Sequence, residues 1–214
     1  MKKAAVGFRV HSGWSAVVAV CVEAGAPAVL HRERVHLVEE FTYRLRQPYH
    51  TAKKMPLAQA REFVSRVQAT ARDMAYGAIG KLRLDLEQRG YKLGSAALLL
   101  ASGRPLPELE RILASHAMIH TADGELFREA LTRASVRCGL QVMSVKEKEL
   151  AEEAAQSFGL TEVAVLKRIT ELGRQLRAPW SQDEKYSALG AWLALSDGSG
   201  CRKRTQTGKR GKAI

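Results

Sequence analysis

Apolar positions crowd the start of the chain in a way that suits the middle of a sheet. From Ala4 to Val22 the residues are nearly all apolar or small, and the run Val17 to Val22 barely alternates, as a strand buried on both faces does not. His11-Ser12-Gly13 interrupts it, and Gly13 gives the turn the backbone freedom of a tight hairpin. A third strand follows over Ala28 to Val38. One of its alternating sets is mostly polar, the pattern of an edge strand, and Ala24-Gly-Ala-Pro27 is the turn before it. Glu39 to Pro56 shows little periodicity and reads as a surface excursion.

Beyond it the period changes. Leu57, Ala60, Phe63, Val64, Val67, Ala71, Met74, Ala75, Ile79, Leu82 and Leu86 recur at helical spacing, so a long amphipathic helix is expected from Leu57 to Gly90. Ser95 to Ala101 is a short apolar run, a central strand that the helical crossover sets parallel to the first. A turn at 102–107 leads to a short helix over Pro107 to His116. The next helix reaches Cys138, with Thr121 as its expected N-cap and Asp123 and Glu125 in its first turn. Leu140 to Val145 is the fifth strand. Helices are expected near Glu147 to Phe158, Thr161 to Leu176 and Glu184 to Leu195, and Trp14 and Trp192 read as core residues.

A chain of 214 residues, 46% of them hydrophobic, can bury one core without disulfides or structural metals. One α/β domain over residues 1–195 and a tail over 196–214 is the expected organisation. Cys21, Cys138 and Cys201 are far apart and fit no ligand or disulfide spacing, which points to a reducing cytoplasm. No apolar stretch is long enough for a bilayer. Net charge is +12, and the tail contributes Arg202, Lys203, Arg204, Lys209, Arg210 and Lys212 against Asp197. A nucleic-acid partner, DNA or RNA, fits this balance; so does a solvated basic surface, and a protein partner stays open. The tail lacks the apolar residues that would offset the entropy of ordering it.

Three antiparallel strands, a helix, a strand, helices, a strand and a terminal helix resemble the ribonuclease H-like superfamily. The local texture is closest to its Holliday-junction resolvase branch. That branch opens on a Gly-Ile-Asp-Pro-Gly turn, where this chain has Gly7-Phe-Arg-Val-His-Ser-Gly-Trp14, and closes on an Asp-x-x-Asp-Ala-Leu-Ala helix, where it has Glu184-Lys-Tyr-Ser-Ala-Leu-Gly-Ala191. The stretches around Arg9 to Trp14 and Ile119 to Glu125 are also similar to those of a group of bacterial proteins with no assigned mechanism. The resemblance implies a mixed five-stranded sheet, three antiparallel strands then two parallel, flanked by helices.

The departures bear on function. The family's nucleases hold two divalent metals on carboxylates from the first strand, the fourth strand and the last helix, because hard cations need several oxygen ligands. Here Arg9 stands at the first position, Ala101 or Ser102 at the second, and Glu184 remains while Ser187 replaces its partner. A guanidinium would repel the metals. The expectation is therefore a catalytically degenerate module that binds nucleic acid or a partner, with no metal. The alternative is an enzyme of unassigned reaction, a hydrolase or phosphoryl-group enzyme, using His11, Ser12 and Glu125. Arg9, Ser102 and Arg104 are candidates for holding an anion. His116, His120 and Asp123 complete the candidate set; the two histidines have metal-ligand spacing on a helix, but no third ligand is evident in the sequence and a pair that simply caps the helix is the expected reading. No phosphate-cradling glycine motif occurs.

Overall fold

A computed structural model describes residues 1–100 and 105–197. Five strands, β1 (Lys2–His11), β2 (Trp14–Glu23), β3 (Ala26–His36), β4 (Tyr91–Leu100) and β5 (Gln141–Lys146), form one sheet in the order β3-β2-β1-β4-β5. The pairs β1–β2 and β2–β3 are antiparallel, and β1–β4 and β4–β5 are parallel. This is the mixed sheet that the hydrophobic pattern predicts, with the half-polar third strand at an edge. Gly13 takes φ +84° in the hairpin turn, a left-handed value that glycine adopts without strain.

Helices cover both faces. α1 (Tyr43–Arg46) and α2 (Pro48–Ala52) occupy the stretch expected to be irregular, followed by α3 (Leu57–Gln88), α4 (Leu109–Leu113) and α5 (His116–Arg137). α6 (Leu150–Phe158), α7 (Glu162–Leu172) and α8 (Gln182–Asp197) complete the chain order. On one face Phe8, Val17 and Leu98 pack with Phe63, Ile79, Phe127 and Leu131 from α3 and α5. On the other, Ala5, Val18, Val20, Ala97 and Leu99 pack with Leu150, Val165, Leu189 and Trp192 from α6, α7 and α8. Each large side chain fully buried in these layers contributes about 1.5–3 kcal/mol.

α8 lies close to β1. A Cβ on Gly7 would sit 1.8 Å from the Ser187 carbonyl oxygen, so only glycine permits the helix to approach there. The Ser187 hydroxyl donates to the Ala16 carbonyl, 3.1 Å away, which satisfies a fully buried polar group.

α5 starts five residues before the expected cap at Thr121. Ser115 is its N-cap and accepts from the Met118 amide, and the extra turn buries Ile119. None of the described helices is long and apolar enough to cross a membrane. Ser102 and Arg104, and the tail beyond Asp197, lie outside the described residues.

Candidate functional site at the strand ends

Side chains alternate along β1, so Arg9 and His11 share the face on which α8 meets Gly7. The Arg9 guanidinium there joins two carboxylates far away in sequence. Its Nε and Nη2 donate to Glu147 at 3.0 and 2.6 Å, and its Nη1 donates to Asp183 at 2.5 Å. His11 Nε2 lies 2.8 Å from the same Asp183 oxygen. Glu147 follows β5 directly and Asp183 lies in the first turn of α8, so the site is assembled from the first strand, the end of the fifth and the last helix.

The contacts favour the ionised forms of Arg9 and Asp183. Hydrogen bonding to Glu147 outweighs burial and keeps the Arg9 guanidinium above its ordinary pKa. Burial pushes the Asp183 carboxyl up, but the hydrogen bond and charge of His11, then those of Arg9, more than offset it. Asp183 therefore titrates below the usual carboxylate range.

Neither a protein-family model nor a curated protein sequence matches the chain. Solved structures do. The chain is similar to Thermus thermophilus RuvC, a Holliday junction resolvase, with a TM-score of 0.51 at 14% identity, over 92% of this chain and 95% of that one. The complex of T. thermophilus RuvC with a Holliday junction substrate gives a TM-score of 0.51 at 12% identity, with the same coverage. This is the ribonuclease H-like fold.

Within the ribonuclease H-like frame, the residues singled out by sequence have mixed placements. Arg9 and His11 meet, but Arg9 is not free to take an anion, because Glu147 and Asp183 already engage its Nε, Nη1 and Nη2. Ser12 sits in the hairpin turn beside them, and its carbonyl accepts from Arg46 at 3.3 Å. Glu184 turns away from the site. Its carboxylate accepts from the Ser181 amide at 2.7 Å and from the Ser181 hydroxyl, so it caps α8 while its neighbour Asp183 faces Arg9. Glu125 is separated from His11 by the sheet: it pairs with Arg128 at 2.9 Å on α5, which packs on the opposite face. The three-residue arrangement of His11, Ser12 and Glu125 is therefore not formed.

Sequence reasoning missed Glu147 and Asp183, each of which looks like an ordinary helix-start acid. It also placed Trp14 in the core. Trp14 is only partly buried and stacks on His11 with ring centroids 4.3 Å apart, while the Arg34 guanidinium lies 3.8 Å from its ring centre. The register explains the cluster. His11 pairs with Trp14 and Trp14 with His36, and in the next row Arg9 pairs with Ala16 and Ala16 with Arg34, so all share one face. Phe41 extends it, with His36 4.8 Å away and the Arg46 guanidinium 4.3 Å from its ring centre. The signal was present in the sequence as alternation of Arg34 and His36, but only the pairing puts Trp14 beside them.

His116 and His120 lie one turn apart at the start of α5, with Nε2 atoms separated by 3.1 Å. The third histidine that the sequence did not suggest is His50 of α2. Its ring centroid is 5.4 Å from that of His116 and 4.4 Å from that of His120. Asp123, a further turn along α5 and 2% exposed, accepts from His50 Nδ1 at 2.5 Å and from the Tyr49 amide at 2.7 Å. Asp123 is thus not a simple first-turn acid.

Proposed function

We propose that this protein is a nucleic-acid-binding module of ribonuclease H-like fold in which metal-dependent strand cleavage has been given up. The observation that carries the reading is the Arg9 guanidinium bridging Glu147 and Asp183. A two-metal nuclease keeps carboxylates at this place in the fold free for divalent cations. Here a permanently charged group on the first strand engages both Glu147 oxygens and one Asp183 oxygen, and a dication arriving beside it would meet repulsion and competition for those oxygens.

Binding is supported by what surrounds the ion pairs. Trp14, Phe41, Arg34, His36 and Arg46 interleave aromatic faces with cationic groups, the combination on which unpaired bases stack while phosphates are neutralised. The net charge of +12 favours the same class of partner. The structural similarity to a resolvase complexed with a Holliday junction favours it too.

The test is fluorescence anisotropy with four-way junction, duplex, single-stranded DNA and RNA over a salt series, run beside a cleavage assay with Mg²⁺ or Mn²⁺. Binding that weakens with salt, without cleavage, is expected. Trp14→Ala should weaken single-strand or junction binding by about 1–3 kcal/mol while the fold persists. Metal-dependent cleavage by the purified protein would overturn the loss of nuclease chemistry. Failure to bind any of the four ligands at low salt would overturn nucleic-acid binding and favour a protein partner.

A further inference from the structure

We infer that His50, His116 and His120 form a binding site for a first-row divalent metal of the zinc class, held by three imidazoles with a fourth position open to solvent. One ring nitrogen from each of the three lies within 4.8 Å of the other two. A tetrahedral zinc with bonds of about 2.0–2.1 Å separates its ligand nitrogens by about 3.4 Å. The Nε2 atoms of His116 and His120, at 3.1 Å, are already near that spacing. The remaining closure is about 1.4 Å, within reach of small side-chain rotations of the two exposed imidazoles.

The second observation is Asp123. A metal-bound imidazole generally donates its other ring N–H to a carboxylate or carbonyl, which fixes the tautomer and aims the remaining lone pair at the cation. His50 has the partner this requires: its Nδ1 lies 2.5 Å from an Asp123 oxygen, and in the tautomer with hydrogen on Nδ1 its Nε2 is left as the ligand atom. The carboxylate is itself anchored by the Tyr49 amide. His116, His120 and Asp123 fall at i, i+4 and i+7 along α5 and share one stripe, so a single helix supplies two ligands and the group that orients the third. The two Nε2 atoms at 3.1 Å share one proton when no metal is bound, and loss of that proton leaves both lone pairs aimed at the space beside His50.

The donor set selects among metals. Three neutral nitrogen ligands suit Zn²⁺, Co²⁺, Ni²⁺ and Cu²⁺ and disfavour Mg²⁺ and Ca²⁺, which require oxygen. His116 and His120 are exposed, so the fourth position faces water. Three protein ligands and an open position is the form in which zinc presents an activated water rather than a closed structural centre. The site uses none of the residues around Arg9 and stands independently of the nucleic-acid reading.

The experiment is titration of chelator-treated, full-length protein with Zn²⁺ by calorimetry and with Co²⁺ by visible absorption. One equivalent should bind, with the intense ligand-field bands of four-coordinate Co²⁺. His120→Ala, a substitution at an exposed side chain, should abolish those bands while circular dichroism is unchanged. Asp123→Asn should cut affinity about 10–100-fold; if that buried substitution impairs folding, His50→Gln serves as the second variant and should also abolish the bands. Absence of stoichiometric binding by the wild-type protein, six-coordinate Co²⁺ spectra, or undiminished binding by folded His120→Ala would each overturn the proposal.

Discussion

Two aspartate–histidine pairs in this protein have the same chemistry and opposite electrostatics. Asp183 bonds His11 at 2.8 Å on the α8 face, and Asp123 bonds His50 at 2.5 Å on the α5 side. The Asp183 carboxyl is lowered. Asp123 is raised, because burial dominates and the bonds from His50 and the Tyr49 amide pull down without cancelling it. The difference lies in what else is present: Asp183 is a quarter exposed and has a guanidinium at 2.5 Å, whereas Asp123 is almost sealed and, among the described residues, pairs with His50 and the Tyr49 amide. A histidine alone does not decide the state of a carboxylate. The depth of burial does, and at Asp183 the Arg9 guanidinium adds to what His11 supplies.

The largest effect that tests this contrast is expected at Asp123. Replacing it with Ala leaves the Tyr49 amide and His50 Nδ1–H without their buried acceptor, and should cost about 2–4 kcal/mol in urea unfolding. A loss below about 1 kcal/mol would mean that the raised carboxyl brings little net stability and that the network serves only to orient His50. A smaller loss, about 1–2 kcal/mol, is expected for Arg9→Met, since Glu147 and Asp183 lose their shared cation but remain open enough for water to replace part of it. Arg9→Lys should recover only part of that, because an ammonium cannot reproduce the bidentate contact to Glu147.

The smallest effect is on the acid limb of stability. A carboxyl whose folded pKa is depressed contributes stability above its unfolded value, about 3.9, and loses it as pH falls through the folded value. Asp183→Asn should therefore flatten the decline below about pH 4. Asp123 has the reverse sign: its contribution is present below the unfolded value and is lost as pH rises through the folded one, so it cannot supply the acid loss. Urea midpoints measured from about pH 2.5 to 7 for the wild type and Asp183→Asn distinguish the two; a wild-type acid limb unaltered by the substitution would remove Asp183 from the account.

Much of the architecture was legible because it depends on local periodicity. The unbroken apolar run from Val17 to Val22 marked a strand covered on both sides, the mixed face of the third strand marked an edge, and the helical period from Leu57 onward required a crossover that makes β4 parallel to β1. Boundaries were less legible. The α5 start was missed because Ser115 and Thr121 are both competent caps, and the choice between them rests on burying Ile119. At the other end of the chain, Glu184 and Asp183 are adjacent acids, and which one faces the sheet depends on the helical rotation that Ser181 and the cap set.

What the sequence determined by itself was the five strands, the helices from Leu57 onward, their order, and the presence of Arg9 near the end of the first strand. Pattern and spacing act over one turn or one strand, and they carry that much. The tertiary structure alone decided which charges meet: Arg9 reaches Glu147 across 138 positions, and His50 meets Asp123 across 73. No local rule links such residues, because their proximity follows from strand order and from how the helices cross the sheet. Two histidines four apart on α5 could be read from the chain; the third, and the buried acid that aims it, came from another helix folded against them.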